Sequence, residues 1–435
     1  MKTRIKPTKI NIVTLGCSKN LVDSEHLMKQ LQMNDLSVSH NSNDPTEVAV
    51  INTCGFIADA KQESIDTILQ YLEAKKAGLV KAVYVMGCLS QRYKKELSAE
   101  MTEVDGYYGV NDIPLIIKDL GAKYKKELVG ERLQTTPKHF AYLKISEGCD
   151  RTCSFCAIPL IRGKHKSKPV EEVIHEAKLL VKNGVKELIL IAQDLTYYGL
   201  DLYNERRLPQ LLNELADIPG LEWIRLHYTY PTDFPFELLE VIRNRKNICN
   251  YIDIPLQHIS APVLKAMRRW SSPNQVESLI SKIRAEIPNV SFRTTLIVGF
   301  PNETREDFEK LLEFVKKTKF DRLGVFTYSH EEDTRAHRLE DNVDEQTKND
   351  RMEELMEVQE QISLELNQEK IGKVFKTLID REEGDFFVGR TEYDSPEVDN
   401  EVLILKENNQ CKIGEFYHIR VTSASAFDLN GVVDK

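Results

Sequence analysis

Residues 142–156 read Tyr-Leu-Lys-Ile-Ser-Glu-Gly-Cys-Asp-Arg-Thr-Cys-Ser-Phe-Cys. Tyr142–Ser146 has the make-up of a short strand, and it runs straight into CxxxCxxC, with Cys149, Cys153 and Cys156 inside eight residues. A loop that tight converges its sulfurs on one point, and three convergent thiolates suit an iron–sulfur cluster. Structural zinc takes four ligands, usually in paired CxxC spacing, and no fourth ligand in that spacing stands nearby. A four-iron cluster on three cysteines keeps one iron without a protein ligand. S-adenosylmethionine (SAM) chelates such an iron through its amino and carboxylate groups. Electron transfer then cleaves the sulfonium to a 5′-deoxyadenosyl radical, so the cofactors carry the hard chemistry and the protein aims it.

Outward from the triad, a strand–helix rhythm continues. Val170–Asn183 reads as a helix and Glu187–Ala192 as the next strand. Trp223–His227, Tyr251–Ile254, Ser291–Val298 and Arg322–Thr327 follow as strands, separated by helical patterns at Pro262–Arg269, Asn274–Glu286 and Thr304–Lys317. Such a series predicts a partial or complete (β/α) barrel over 135–366. Upstream, over 8–125, the β runs Ile10–Leu15, Glu47–Asn52 and Lys81–Met86 alternate with amphipathic Asp23–Gln32 and Ala60–Lys75. That pattern predicts an open, doubly wound parallel sheet. Asp344–Lys370 reads as a polar helical connector. The short β runs Lys373–Asp380, Phe386–Thr391, Glu401–Leu405 and Phe416–Ser423 then predict a small antiparallel β-barrel over 367–435. The fold class is multidomain α/β.

Cys17, Cys54 and Cys88 each close one of the upstream β runs, and each adjoins a glycine. The carboxyl ends of strands in an open parallel sheet form the ligand crevice. Three cysteines placed there suit a second cluster, again with an open iron; alternatively they are buried small hydrophobes. Cys249 and Cys411 lack such a setting and read as ordinary cysteines.

The 435 residues call for about two to four domains. Hydrophobic residues at 41% and charged residues at 29% fit a globular chain. The formal net charge of -9 removes the whole-molecule attraction that many phosphate-backbone binders use. No apolar run reaches membrane-spanning length, and the run after the basic amino terminus is too short for a signal core. A cytoplasmic address is expected, in which the eight cysteines stay reduced and metal binding outranks disulfides.

The two triads, in this order, resemble the methylthiotransferase family of radical SAM enzymes along essentially the whole chain. The likeness rests on Leu-Gly-Cys-Ser-Lys-Asn-Leu-Val-Asp-Ser-Glu at 15–25 and Cys-Asp-Arg-Thr-Cys-Ser-Phe-Cys-Ala-Ile-Pro at 149–159. It extends to Arg-Gly-Lys-His-Lys-Ser-Lys-Pro at 162–169, Pro-Leu-Gln-His-Ile-Ser at 255–260 and Asp-Ser-Pro-Glu-Val-Asp-Asn at 394–400. Ser18 departs from the proline expected in the protein-modifying branch. The resemblance implies a methylthiotransferase domain, a radical core and a carboxy-terminal TRAM domain. It implies one 4Fe–4S cluster on Cys149, Cys153 and Cys156 and an auxiliary 4Fe–4S cluster on Cys17, Cys54 and Cys88. It also implies insertion of a methylthio group at an unactivated C–H bond, with two SAM molecules consumed. The strings are most similar to the branch that modifies an aspartate of ribosomal protein S-twelve on the small ribosomal subunit. Flavodoxin is the electron donor to be expected from the family.

Barrels bind ligands at the carboxyl ends of their strands. The SAM candidates there are Gln193 and Asp194, Arg225 and His227, Gln257, and Gly299. The rival substrate within the family is an adenosine of transfer RNA. Residues 367–435 carry nine Lys and Arg against fourteen Asp and Glu, which disfavours an RNA grip. An acidic face suits a basic ribosomal protein, with Asp394, Glu397 and Asp399 as docking candidates. From another class, a non-enzymatic iron–sulfur sensor or scaffold is the alternative.

Overall fold

Strand, loop and helix recur in register with the expected pattern in a computed structural model that describes residues 8–269 and 272–434. The basic residues opening the chain and the final lysine lie outside that range. The chain divides into two compact units. One holds the residues up to Thr136 with Tyr142–Arg151 and Ala157–Leu179; the other holds Pro137–Ala141, Thr152–Cys156 and everything from Leu180.

In the first unit the order is β1 (Lys9–Thr14), α1 (Ser18–Gln32), β2 (Ser37–His40), β3 (Val48–Thr53), α2 (Ala58–Lys76), β4 (Ala82–Gly87), α3 (Cys88–Glu100), β5 (Gly106–Tyr107) and α4 (Ile113–Asp119). The strands lie parallel in the order β2-β1-β3-β4-β5. Alternation along a strand sends successive side chains to opposite faces. Ala49, Ile51, Val83 and Val85 therefore pack with Ile68 and Leu72 of α2, while Ile10, Ile12 and Val50 pack with Leu27, Met28 and Leu31 of α1. Both faces are covered, as the sequence predicts. β2 is the strand whose sequence carries no apolar signal, because Ser37–His40 sits at the sheet edge without a fully buried residue.

The chain continues through β6 (Phe140–Lys144), β7 (Ser146–Glu147), α5 (Ile158–Arg162), β8 (Lys166–Ser167) and α6 (Val170–Lys182). β7 and β8 pair antiparallel, Ser146 with Ser167 and Glu147 with Lys166, and clasp the base of the cysteine loop.

The second unit contains β9 (Glu187–Ile191), α7 (Leu200–Tyr203), α8 (Leu208–Ala216), β10 (Trp223–Leu226), α9 (Glu237–Asn244), β11 (Ile248–Asp253), α10 (Ala261–Ala266), α11 (Pro273–Glu286), β12 (Ser291–Val298), α12 (Arg305–Thr318) and β13 (Arg322–Thr327). β9 to β13 are parallel neighbours in chain order, with β6 beside β9, so the sheet is a partial barrel of six strands. Thr304 starts α12 with a capping box, exchanging bonds with Asp307.

The helix α13 (Glu345–Gln368) leads to β14 (Val374–Glu383), β15 (Phe386–Thr391), β16 (Glu401–Leu405), β17 (Phe416–Ala424) and β18 (Asp428–Val433). These five close a barrel in the order β14-β15-β16-β18-β17. Its pairs are antiparallel except β16 with β18, which run parallel as the barrel shuts. α13 is more than a connector. Gln359 donates to the Phe320 carbonyl, Ser363 to that of Ala426, and Asn367 to those of Ser425 and Ala426.

The inner face of the partial barrel is not the usual aliphatic filling. Its alternate positions include Glu187, Arg225, Asp253, Arg293 and Arg322, and the segment 390–400 of the small barrel enters among them. Arg390 pairs with Glu187 at 2.6 Å, the Ser291 hydroxyl donates to the Tyr393 carbonyl, and Arg322 pairs with Asp394. Glu187, Ser291 and Arg322 each begin their strand, so the segment stoppers the amino-terminal end of the strands. Trp223 stacks edge-on against Phe416 at 4.8 Å beside it.

Candidate functional site

Parallel strands deliver their carboxyl ends to one side of a sheet, and β1, β3 and β4 bring Cys17, Cys54 and Cys88 there. Cys17 caps α1 and Cys88 opens α3, so both thiols lie where a helix amino terminus favours negative charge. Asn20 gathers the three loops. Its amide nitrogen donates to the carbonyls of Leu15 at 2.8 Å and Thr53 at 3.1 Å, and its amide oxygen accepts from the Cys88 thiol at 3.6 Å. Asn52 donates to the Asn20 carbonyl at 2.9 Å. A Cβ at Gly16, whose φ is +83°, would stand 2.8 Å from the Cys54 sulfur, so that close approach requires glycine.

Cys54 and Cys88 are buried, whereas Cys17 is exposed at the mouth. Burial raises the Cys54 thiol and pushes Cys88 up to about 12, and the neighbouring thiols add repulsion in the same direction. Such a set asks for positive charge. The Arg162 guanidinium supplies some of it, 3.4 Å from the Cys88 sulfur. An iron cluster held between the sulfurs would supply the rest, so the donor chemistry fits the group that the resemblance implies. Among the described residues, no three His, Cys, Asp or Glu side chains form a group that would hold a single metal ion.

The contiguous triad is shaped by its loop. Gly148, at φ +78°, lies so near the Lys164 carbonyl that any Cβ would collide with it, and the Cys149 amide donates to the Gly163 carbonyl at 3.1 Å. Between Cys153 and Cys156, Ser154 is pinned to the carbonyls of Met267 and Ala266, and its own carbonyl accepts from the Ala336 amide. Tyr230 Oη lies 3.3 Å and Arg269 Nη1 3.4 Å from the Cys153 sulfur, and the guanidinium stacks over the Tyr230 ring at 4.3 Å. Arg269 also donates to the Pro255 carbonyl.

The SAM candidates divide. Gln193 and Asp194 follow β9, and Asp194 accepts from the Thr196 amide and hydroxyl, which fixes its carboxylate. Gln257 has φ +74° and is tied by its backbone to Thr295 and Ile297 of β12. Its side-chain oxygen is buried and has no hydrogen-bond partner among the described residues, an acceptor suited to an ammonium or hydroxyl donor such as SAM carries. Gly299 ends β12, with the Lys348 side chain against its α-carbon.

Arg225 and His227 find partners in the carboxy-terminal barrel. Arg225 is fully buried, pairs with Glu187 at 2.8 Å and donates to the Glu392 carbonyl at 2.7 Å, while His227 bonds the Ser395 hydroxyl at 2.8 Å. Both side chains bond to the inserted segment. Of the acidic docking candidates, two are enclosed. Asp394 is held by Arg322 and by the Thr391 hydroxyl, and Asp399 accepts from Tyr251 at 2.7 Å and Arg293 at 3.3 Å, with 1% side-chain exposure each. Glu397 alone of the three is exposed.

Sequence reasoning missed Asn20, Arg162, Tyr230 and Arg269. Asn20 and Arg162 stand inside motif strings. No periodicity marks them, because a buried polar residue on a helix reads like a surface one.

Family models match the chain over residues 9–109 (uncharacterized protein family UPF0004), 143–315 (radical SAM superfamily) and 371–433 (TRAM domain). The ribosomal protein uS12 methylthiotransferase RimO of Flavobacterium johnsoniae is 57% identical over 434 residues, 99% of each chain. The protein of the same name from Cytophaga hutchinsonii is 55% identical over 429 residues, 98% of each. Among solved structures, the radical SAM methyltransferase TsrM of Kitasatospora setae, with cobalamin and a [4Fe-4S] cluster bound, superposes with a TM-score of 0.53. It is 13% identical and covers 74% of this chain and 75% of its own, a likeness of fold. Identity at this level along the full length settles the matter: the chain belongs to the RimO family of radical SAM methylthiotransferases.

Proposed function

We propose that this chain adds a methylthio group to the β-carbon of an aspartate in ribosomal protein uS12, the S-twelve protein of the small subunit. Full-length identity above one half to relatives bearing that name carries the reading. In support, two cysteine triads of different construction occur in one chain, which is what separate sites for radical generation and sulfur delivery need. Bound iron–sulfur cluster and SAM supply the radical and the methyl group. We assign one 4Fe–4S cluster to Cys149, Cys153 and Cys156 and a second to Cys17, Cys54 and Cys88.

The chain's own residues hold and screen these groups. Arg269 and Tyr230 fix the Cys153 sulfur, and Gln257 offers its free acceptor to the cofactor. A flavodoxin-type donor and a cytoplasmic setting complete the reading; among the described residues, no helix is long and apolar enough to cross a membrane.

The test is an anaerobic reaction with both clusters rebuilt, containing SAM, sulfide and reductant, in which small ribosomal subunits and unmodified transfer RNA compete. Mass spectrometry is expected to find the methylthio group on a uS12 aspartate. Label on adenosine alone would move the chain to the RNA-modifying branch, and no SAM cleavage at all would favour a sensor or scaffold.

A further inference from the structure

A cationic side chain reaches the separated triad from outside its three loops, that of Arg162 at the end of α5. It is 2% exposed. Its Nη2 lies 3.4 Å from the Cys88 sulfur and 2.6 Å from Asn20 Oδ1. Its Nη1 lies 3.1 Å from Asp23 and 2.7 Å from Glu147. Lys144 pairs with the same two carboxylates, so these four side chains, two cations and two anions, carry no net charge among themselves. Below it, Ala157 and Ile161 of the same segment pack against Cys88 and Val110.

A guanidinium gripped on both edges has little freedom left, and its remaining N–H is aimed rather than merely near. Hydrogen bonds to the ligand sulfurs are among the features that set a cluster's reduction potential. By drawing electron density from the thiolate, such a bond favours the reduced cluster.

We propose that Arg162 is a positioning residue that raises the reduction potential of the auxiliary cluster by donating a hydrogen bond to the Cys88 sulfur. The proposal rests on Cys17, Cys54 and Cys88 holding that cluster. Lysine at 162 keeps the charge but loses the two-edged fork, so it cannot hold Asp23, Glu147 and the sulfur together.

The experiment uses the full chain with Cys149, Cys153 and Cys156 changed to Ala, rebuilt with iron and sulfide. Iron is counted, and the midpoint is read by electron paramagnetic resonance while dithionite supplies one electron per cluster. Arg162→Lys is expected to keep its iron and to shift the midpoint to more negative potential. The pair Arg162→Met with Glu147→Gln keeps the four-residue frame neutral while removing the donor, and the same shift is expected there. Either variant holding a cluster at the parent midpoint overturns the proposal. In the mirror background, with Cys17, Cys54 and Cys88 changed to Ala, Arg162→Lys is expected to leave the remaining cluster's midpoint unmoved. An equal shift in both backgrounds would make Arg162 a general prop and overturn its specific role. A parent chain that takes up no cluster refutes the assignment of the separated triad itself, a failure distinct from the others.

Discussion

Cys149, Cys153 and Cys156 stand within eight consecutive residues, whereas Cys17, Cys54 and Cys88 stand at three strand ends whose loops are tied by the side chain of Asn20. In each set a guanidinium lies 3.4 Å from a sulfur, Arg269 at Cys153 and Arg162 at Cys88. Their surroundings differ. Arg162 is neutralised by Asp23 and Glu147, while Arg269 rests on a carbonyl and an aromatic ring. A loop depends on its own backbone for geometry; a three-strand site depends on distant polar residues staying buried and paired.

The largest effect that separates the two sets is loss of a ligand. Cys153→Ala should reduce both SAM cleavage and methylthio transfer to background, whereas Cys54→Ala should abolish transfer alone. Chromatography of 5′-deoxyadenosine and mass spectrometry of the substrate read both; loss of cleavage in Cys54→Ala would erase the contrast.

Next come the frames. Arg322→Met leaves Asp394 buried without its cation, an expected loss of about 3–5 kcal/mol in the radical unit, seen as a lowered thermal midpoint. Replacing Asp394 by Leu as well should recover most of it. Asn20→Ala strands the buried carbonyl of Thr53 and the half-buried one of Leu15 at a cost of roughly 1–3 kcal/mol. Iron content should then fall toward that of a chain keeping only the radical cluster, and full iron content would show that the three loops do not need their tie.

The smallest effect is a pH response confined to the first unit. Burial, against the pull of Glu176, depresses His26 to about 4, and Glu176 itself is held down to about 2 because Lys168 and Arg132 outweigh its burial. For both groups the unfolded chain binds more protons between the folded and unfolded pKa values, so stability rises with pH there. It should fall as pH drops below about 6.5, with His26 contributing about 2 kcal/mol by pH 4. His26→Gln should flatten urea midpoints over that span.

The contrast also governs what was legible in the sequence. CxxxCxxC declares itself because its geometry is local. The separated triad could be suspected from strand-end cysteines beside glycines, but Asn20 could not, since its function lies in which carbonyls it meets after folding. The acidic segment was misread for the same reason. Net charge counts carboxylates without showing their partners, and Asp394 and Asp399 find theirs 72 and 148 residues away, in Arg322 and Tyr251. A polar residue near a strand end has two possible employers, a ligand or a neighbouring segment, and the bonds of Arg225 and His227 to Glu392 and Ser395 could not be read from their place in the strand pattern.

That inserted segment alters what the carboxy-terminal barrel is. As a stretch of sequence it is a detachable module, recognisable by its own family model from 371 to 433. Mechanically it is a bung. Cutting the chain at 370 would uncork the radical barrel and flood its base, leaving Glu187, Arg225 and Arg322 to water where Arg390, Glu392 and Asp394 had answered them. Swapping in a foreign TRAM domain would therefore succeed only if residues 390–400 travelled with the host.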